Sequence, residues 1–211
     1  MFAQTVDTPG VAKEDQMFVI GIAGKKRHGK DAVAKIIMNY AKEHGHVAVK
    51  RAMADPLKEE CAKMIVEELA SNSSCSFNLT TYYEQVLADM NSDETKEKYR
   101  LLLQWWGTEF KRSIDPDYWV KRLKVWLSVA KNYVDLVVIP DVRFVNEIET
   151  VKQLGGIVIR VERPQLVQCD THASEKLLDD YKNWDSVIVN DGTLDELEQH
   201  VRAVCEEIWK L

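Results

Sequence analysis

Proline and glycine are scarce, at 5 and 9 of 211 residues, which excludes collagen-like, low-complexity and disordered chains. Cysteine is scarcer still. Cys61, Cys75, Cys169 and Cys205 show no Cys-x-x-Cys spacing, so they read as separate reduced thiols of a cytoplasmic protein, not as a disulfide frame or a zinc site. Long apolar runs are missing: those near residues 18–23 and 136–140 fall far short of the ~20 residues that cross a bilayer. Residues 1–16 contain acidic side chains and no apolar stretch, so they read as a mobile tail and not as a signal peptide. Positive charge is in deficit, with 28 Lys and Arg against 34 Asp and Glu, a net charge of −6. Such a chain is a poor general binder of nucleic acid polymers or anionic membranes, and any basic cluster in it stands out.

What remains is an ordinary globular composition, 45% hydrophobic and 29% charged, long enough to bury roughly 70% of its unfolded surface. Residues 17–211 are expected to form a single domain. Short β-branched and aliphatic runs at 17–23, 46–51, 136–140, 157–161 and 185–189 read as strands. Helical spacing follows the first of them and stops at Gly45. Asp55 and Pro56 suit N-cap and N1 of a second helix. Residues 82–89 and 96–110 read as helices, 71–81 as a loop, and Pro116 as the start of another helix. Thr193 and Glu196 have capping-box spacing at the last helix. The pattern predicts an α/β, three-layer fold with a five-stranded parallel sheet and a helical insertion over about 56–130. Sites in such folds lie at the carboxyl ends of the strands.

The clearest motif is Gly24-Lys25-Lys26-Arg27-His28-Gly29-Lys30-Asp31, which fits GxxxxGK with Asp where Ser or Thr is usual. Between a buried strand and an amphipathic helix, such a loop turns backbone N–H groups toward phosphate oxygens, and the helix adds its positive end. Lys30 supplies a mobile cation to the outer phosphates. Asp31 replaces the usual Mg²⁺-binding hydroxyl with another hard oxygen ligand; offsetting the helix dipole is its simpler role. Lys25, Lys26 and Arg27 add positive charge facing phosphate.

Together with Ala54-Asp55-Pro56-Leu57-Lys58, Gln104-Trp105-Trp106-Gly107-Thr108-Glu109, Asp117-Tyr118-Trp119-Val120, Ile139-Pro140-Asp141-Val142-Arg143-Phe144, Asn146-Glu147, Arg163-Pro164, His172-Ala173-Ser174-Glu175 and Val189-Asn190-Asp191-Gly192-Thr193, the loop resembles the bacteriophage-type deoxynucleoside monophosphate kinases. These belong to the P-loop nucleoside monophosphate kinase group. The resemblance implies ATP- and Mg²⁺-dependent phosphorylation of a deoxynucleoside monophosphate, and a homodimer. It makes residues 56–130 the acceptor-binding region and 163–175 a lid.

In this reading Asp141 orders Mg²⁺ together with Asp31, while Arg143 and Arg163 stabilise the transferred phosphoryl group. Lys58, Trp106, Arg112 and Arg143 meet the acceptor, and Asn190 and Gly192 line the nucleotide end of the loop. An ion pair with Asp141 or Glu147 is the plainer reading of Arg143. Core packing is the plainer reading of Trp105, Trp106 and Trp119, and a structural hydrogen bond that of His172 and Glu175. A second resemblance, to animal-type phosphomevalonate kinases, covers residues 24–31 and 106–117 but lacks the segments Asp141 to Phe144 and His172 to Glu175. A switch-type NTPase would want a guanine-specifying NKxD motif, which is absent from the sequence. A nucleotide-binding module without catalysis is the remaining alternative.

Overall fold

Strand residues alternate between two buried faces in the computed structural model, which describes residues 17–72, 78–166 and 177–208. Five strands pair in parallel in the order β2-β3-β1-β4-β5. They are β1 (Phe18–Ala23), β2 (Ala48–Lys50), β3 (Leu136–Val142), β4 (Ile157–Glu162) and β5 (Ser186–Val189). Ile20, Ile22, Val138, Ile159 and Val161 point to one face. There they meet α1 (Lys30–Glu43) and α8 (Leu194–Ile208) through Val33, Ile37, Leu197 and Val201. Val19, Val137, Ile139 and Val158 point to the other face, against Leu123 and Leu127 of α6 (Tyr118–Ala130) and Ile148 and Val151 of α7 (Val145–Gln153). This is the expected three-layer arrangement, with the central strands apolar on both sides as a covered parallel sheet requires.

Between β2 and β3 the described chain forms helices joined by short turns and no strand. It comprises α2 (Asp55–Asn72), α3 (Leu79–Asn91), a 3₁₀ turn (Lys96–Tyr99), α4 (Arg100–Gln104), a π-helical stretch (Trp105–Lys111), α5 (Arg112–Ile114) and α6. Cys61, Ala62, Val86 and Met90 form a small core of their own between α2 and α3.

Several boundaries differ from expectation, for tertiary reasons. The helix read over 96–110 divides into three types. Trp119, 3% exposed, donates from Nε1 to the Gly107 carbonyl at 2.9 Å, and a Cβ on Gly107 would stand 2.7 Å from Leu57 Cδ2. That contact fixes the widened turn and makes Trp119 a core residue. β3 continues through Asp141 to Val142, because Ala23 pairs with Val142 across a register irregularity that accommodates Pro140.

Asp55 does not cap α2. The Ala54 carbonyl accepts the Lys58 N–H, while the Asp55 carboxylate accepts from Ala52 N–H at 2.7 Å. α6 begins two residues after Pro116, whose carbonyl accepts from Arg112 and Asn146. Of the expected loop at 71–81, α2 takes the first two residues and α3 the last three, with Asn78 capping α3 by accepting from Thr81 N–H. The Thr193–Glu196 capping box forms reciprocally.

Cys61 and Cys205 are buried free thiols, each pushed up to about 12 by burial. Among the described residues no helix is long and apolar enough to cross a membrane. The tail at 1–16, Cys75, Cys169, His172, Glu175 and most of the expected lid lie outside the described residues.

Candidate active site

The phosphate loop leaves the central strand through backbone that only certain residues tolerate. Gly24 has φ +152°, and a Cβ there would lie 2.6 Å from the Val161 carbonyl oxygen; Gly29 has φ +97°, and its Cβ would lie 2.4 Å from Asn190 Nδ2. Arg27 between them also has positive φ, 64°. These turns wrap the loop over the first turn of α1, whose leading N–H groups point along the helix axis into it.

Lys30 folds back across the loop, donating from Nζ to the Gly24 and Lys25 carbonyls at 2.7 and 2.8 Å. His28 is buried, with Nδ1 3.2 Å from both the Val161 carbonyl oxygen and the Arg163 amide nitrogen. One tautomer donates to Val161 and the other accepts from Arg163, so either one ties the loop to the end of β4. Burial holds the His28 pKa below its usual value, and Lys30, Arg160 and Lys25 act in the same direction.

Asn190, after β5, donates from Nδ2 to the His28 carbonyl at 3.0 Å and so braces the loop from behind. Gly192 packs against the capping carboxylate of Glu196. Lys26 stands 3.6 Å from Glu97, at the edge of the helical insertion. Arg163 is exposed beside the loop.

The second cluster lies at the end of β3, next to the loop in the sheet. Asp141 accepts from the Met53 and Ala54 N–H groups at 2.7 and 3.0 Å, pinning the leading turn of α2. Burial raises its pKa, and those two amides and Arg143 oppose the shift. Glu147 is 1% exposed and accepts the Arg143 and Phe144 N–H groups at 2.7 and 3.2 Å. It also pairs with Arg112. Burial raises the Glu147 pKa to about 7, with Arg112 the chief opposing influence.

Arg112 is thus enclosed. Its guanidinium lies 3.7 Å from the Phe144 ring centroid and donates to the Pro116 carbonyl. Asn146 bonds Pro116 and Asp117 in the same turn. The Asp141-to-Glu147 segment therefore joins the sheet to both ends of the helical insertion.

On the insertion, Lys58 donates to Asn91 at 2.7 Å. Trp106 stacks on Phe110, with centroids 4.9 Å apart, and donates from Nε1 to Glu60 at 3.2 Å. Glu60 also accepts from Tyr118 at 2.6 Å and lies within 4 Å of Lys111 and Arg122. Trp105 is 48% exposed and stacks on Phe110. From sequence neither Glu60 nor Arg160 stands out, and Glu147 enters only as an ion-pair partner for Arg143; its pairing with Arg112 is missed because that partner lies 35 residues away on another element.

For a metal, Asp31 presents a largely exposed carboxylate at the mouth of the loop, 3.7 Å from Lys50 Nζ. The two oxygens of Asp141 are already turned to amides. Among the described residues no group of three or more His, Cys, Asp or Glu could hold an ion. The exposed Asp31 carboxylate is by itself a donor of the kind Mg²⁺ takes, since that ion keeps several waters and needs one or two carboxylates plus substrate phosphates.

A parallel sheet in this strand order, with a glycine-bent phosphate loop between its central strand and the following helix, defines a P-loop phosphate-binding fold. The chain belongs to the deoxynucleotide monophosphate kinase family, whose family model matches residues 62–201. It is accordingly a phosphotransferase.

A protein of Acanthamoeba polyphaga mimivirus is 29% identical over 201 residues, 88% of this chain and 94% of its own length. The deoxynucleotide monophosphate kinase of Enterobacteria phage T4 is 28% identical, with 88% and 98% covered. Among solved structures, dephospho-CoA kinase from Campylobacter jejuni is 16% identical with a TM-score of 0.46, covering 92% of this chain and 98% of that one. Of the two resemblances read from sequence, the family match selects the nucleotide kinases.

Proposed function

We propose that this chain transfers the terminal phosphoryl group of ATP to a deoxynucleoside monophosphate, forming ADP and the deoxynucleoside diphosphate. The observation that carries the reading is a register: Ala23 pairs with Val142, so the phosphate loop and the arginine-bearing segment after β3 leave the sheet side by side. Two phosphate-directed elements at neighbouring strand ends suit in-line transfer, in which positioning and charge neutralisation do most of the work.

Gly24, Lys25, Lys26, Arg27, His28 and Gly29 cradle the donor phosphates, and Lys30 leaves its carbonyl partners for the terminal one. Asn190 and Gly192 support that cradle from behind. An oxygen of the acceptor phosphate attacks the terminal phosphorus as the bond to the ADP oxygen breaks. Arg143 and Arg163 neutralise the charge on the moving group. Asp31 and Asp141 are the residues that would hold Mg²⁺, which would supply further neutralisation.

The helical insertion forms the acceptor side, with Lys58 and Trp106 facing the nucleotide. Arg112 acts there through its grip on Glu147 and the Pro116 turn. The test is ADP release with product identification across deoxynucleotides, ribonucleotides and 5-phosphomevalonate. Deoxynucleoside diphosphates are the expected products, and preferential use of 5-phosphomevalonate would overturn the assignment.

A further inference from the structure

One cation of the phosphate loop is tied to a distant segment. Lys25 Nζ lies 2.9 and 3.0 Å from the two carboxylate oxygens of Asp179, 154 residues away in sequence. Asp179 sits on the stretch leading into β5. Behind it is Arg160 of β4, with a side chain only 10% exposed, Nη2 3.9 Å from Asp179 and the guanidinium 5.2 Å from the Trp184 ring centroid. Arg160 Nε is 3.6 Å from Glu162 and has no hydrogen-bond partner among the described residues. Arg160 pairs with Ala23 in the sheet, so this buried cation stands beside the residue from which the loop departs.

We propose that Asp179 is a positioning residue for the phosphate donor: anchored by Arg160, it holds the Lys25 ammonium at the loop in the place where it meets an incoming triphosphate. The arrangement suits that role. A lysine side chain has many rotamers, and fixing it beforehand lowers the entropic cost of binding. An ammonium has three donors, so even a carboxylate that engages two of them leaves one for phosphate. Both partners are partly exposed, at 32% and 40% of their side chains, so the pair adds little to folding stability. Arg160 keeps Glu162 and the Trp184 ring when Asp179 is neutralised, so the loss registers in ligand binding and not in melting. The inference rests on the proposed use of ATP.

The experiment is calorimetric titration of Mg²⁺-ATP without acceptor into the full chain and four variants: Asp179→Asn, Asp179→Glu, Lys25→Ala and the Lys25→Ala/Asp179→Asn double variant. Asp179→Asn should weaken ATP binding about two- to fivefold, the scale of a partly exposed ion pair. It should leave the melting temperature and the acceptor KM unchanged, and Asp179→Glu should recover part of the loss. In the Lys25→Ala background Asp179→Asn should add nothing. Unchanged or tighter binding in Asp179→Asn would overturn the role, as would the same loss in both backgrounds or a fall in melting temperature. Failure of the unsubstituted chain to bind ATP would overturn the proposed function, and this role with it, before any variant is compared.

Discussion

Lys30 holds two carbonyl oxygens of its own loop, neutral acceptors that a phosphate outcompetes because its negative charge adds Coulomb attraction to the ammonium. Lys30→Ala removes a preorganised charge from the transferring group, and kcat should fall by about 10²–10³-fold. Circular dichroism should stay unchanged, since the lost bonds only span the loop. A near-normal kcat in the folded variant would remove Lys30 from the chemistry.

Asp31 is distinguished by comparing substitutions. Asp31→Ser restores a hydroxyl of the usual P-loop kind and should retain more Mg²⁺-dependent activity than Asp31→Ala. Equal impairment in a Mg²⁺ titration would leave only the dipole role, worth ~0.3–1 kcal/mol of stability.

At the scale of elements, Glu147 is the joint between β3, α7 and the helical insertion. Its native pKa of about 7 lies above the ordinary 4.5, so between those values the folded state holds a proton that the unfolded chain has released. Glu147's stabilising contribution is therefore complete below about pH 4.5, is lost as pH rises toward 7 and changes little beyond. For a group this enclosed the excursion reaches ~3 kcal/mol. Urea unfolding at a series of pH values should show this decline, and Glu147→Gln should flatten it; an unchanged slope would assign the titration elsewhere.

The same joint separates two arginines that the sequence treats alike. Arg112→Ala leaves the buried Glu147 carboxyl without its counter-charge and should cost up to about 3–5 kcal/mol in unfolding free energy above pH 7, where the group would otherwise be ionised. Arg143 contributes its backbone N–H to Glu147, and its side chain is the one proposed above to meet phosphate.

At the scale of the molecule, the loop, the β3 end and the segments after β4 and β5 all lie at the carboxyl ends of the parallel strands, so a ligand there should stabilise the whole fold. With Mg²⁺-ATP at a hundred times its Kd, binding linkage adds ~2.7 kcal/mol. In a domain of this size that corresponds to a rise in melting temperature of about 5–10 °C. Lys30→Ala should lose most of that rise at the same concentration, and a full shift in the variant would mean that Lys30 does not grip the nucleotide.

The sequence by itself determined whatever depends on neighbours in the chain. The glycines and Lys30 of the phosphate loop lie within eight positions, apolar alternation marks the strands, and Thr193 caps its helix three residues from Glu196. It also carried the family, in motifs spread from the loop to Thr193. Only the tertiary structure decided which elements those side chains would meet. Trp119 bonds Gly107 and bends a helix into a π turn, Arg112 is enclosed by Glu147, and Asn190 braces His28. Lys25 finds Asp179 across 154 residues. A side chain's type sets which partners it can accept, but long-range packing of the sheet and its helices sets which one lies within 3 Å, and no local pattern encodes that distance.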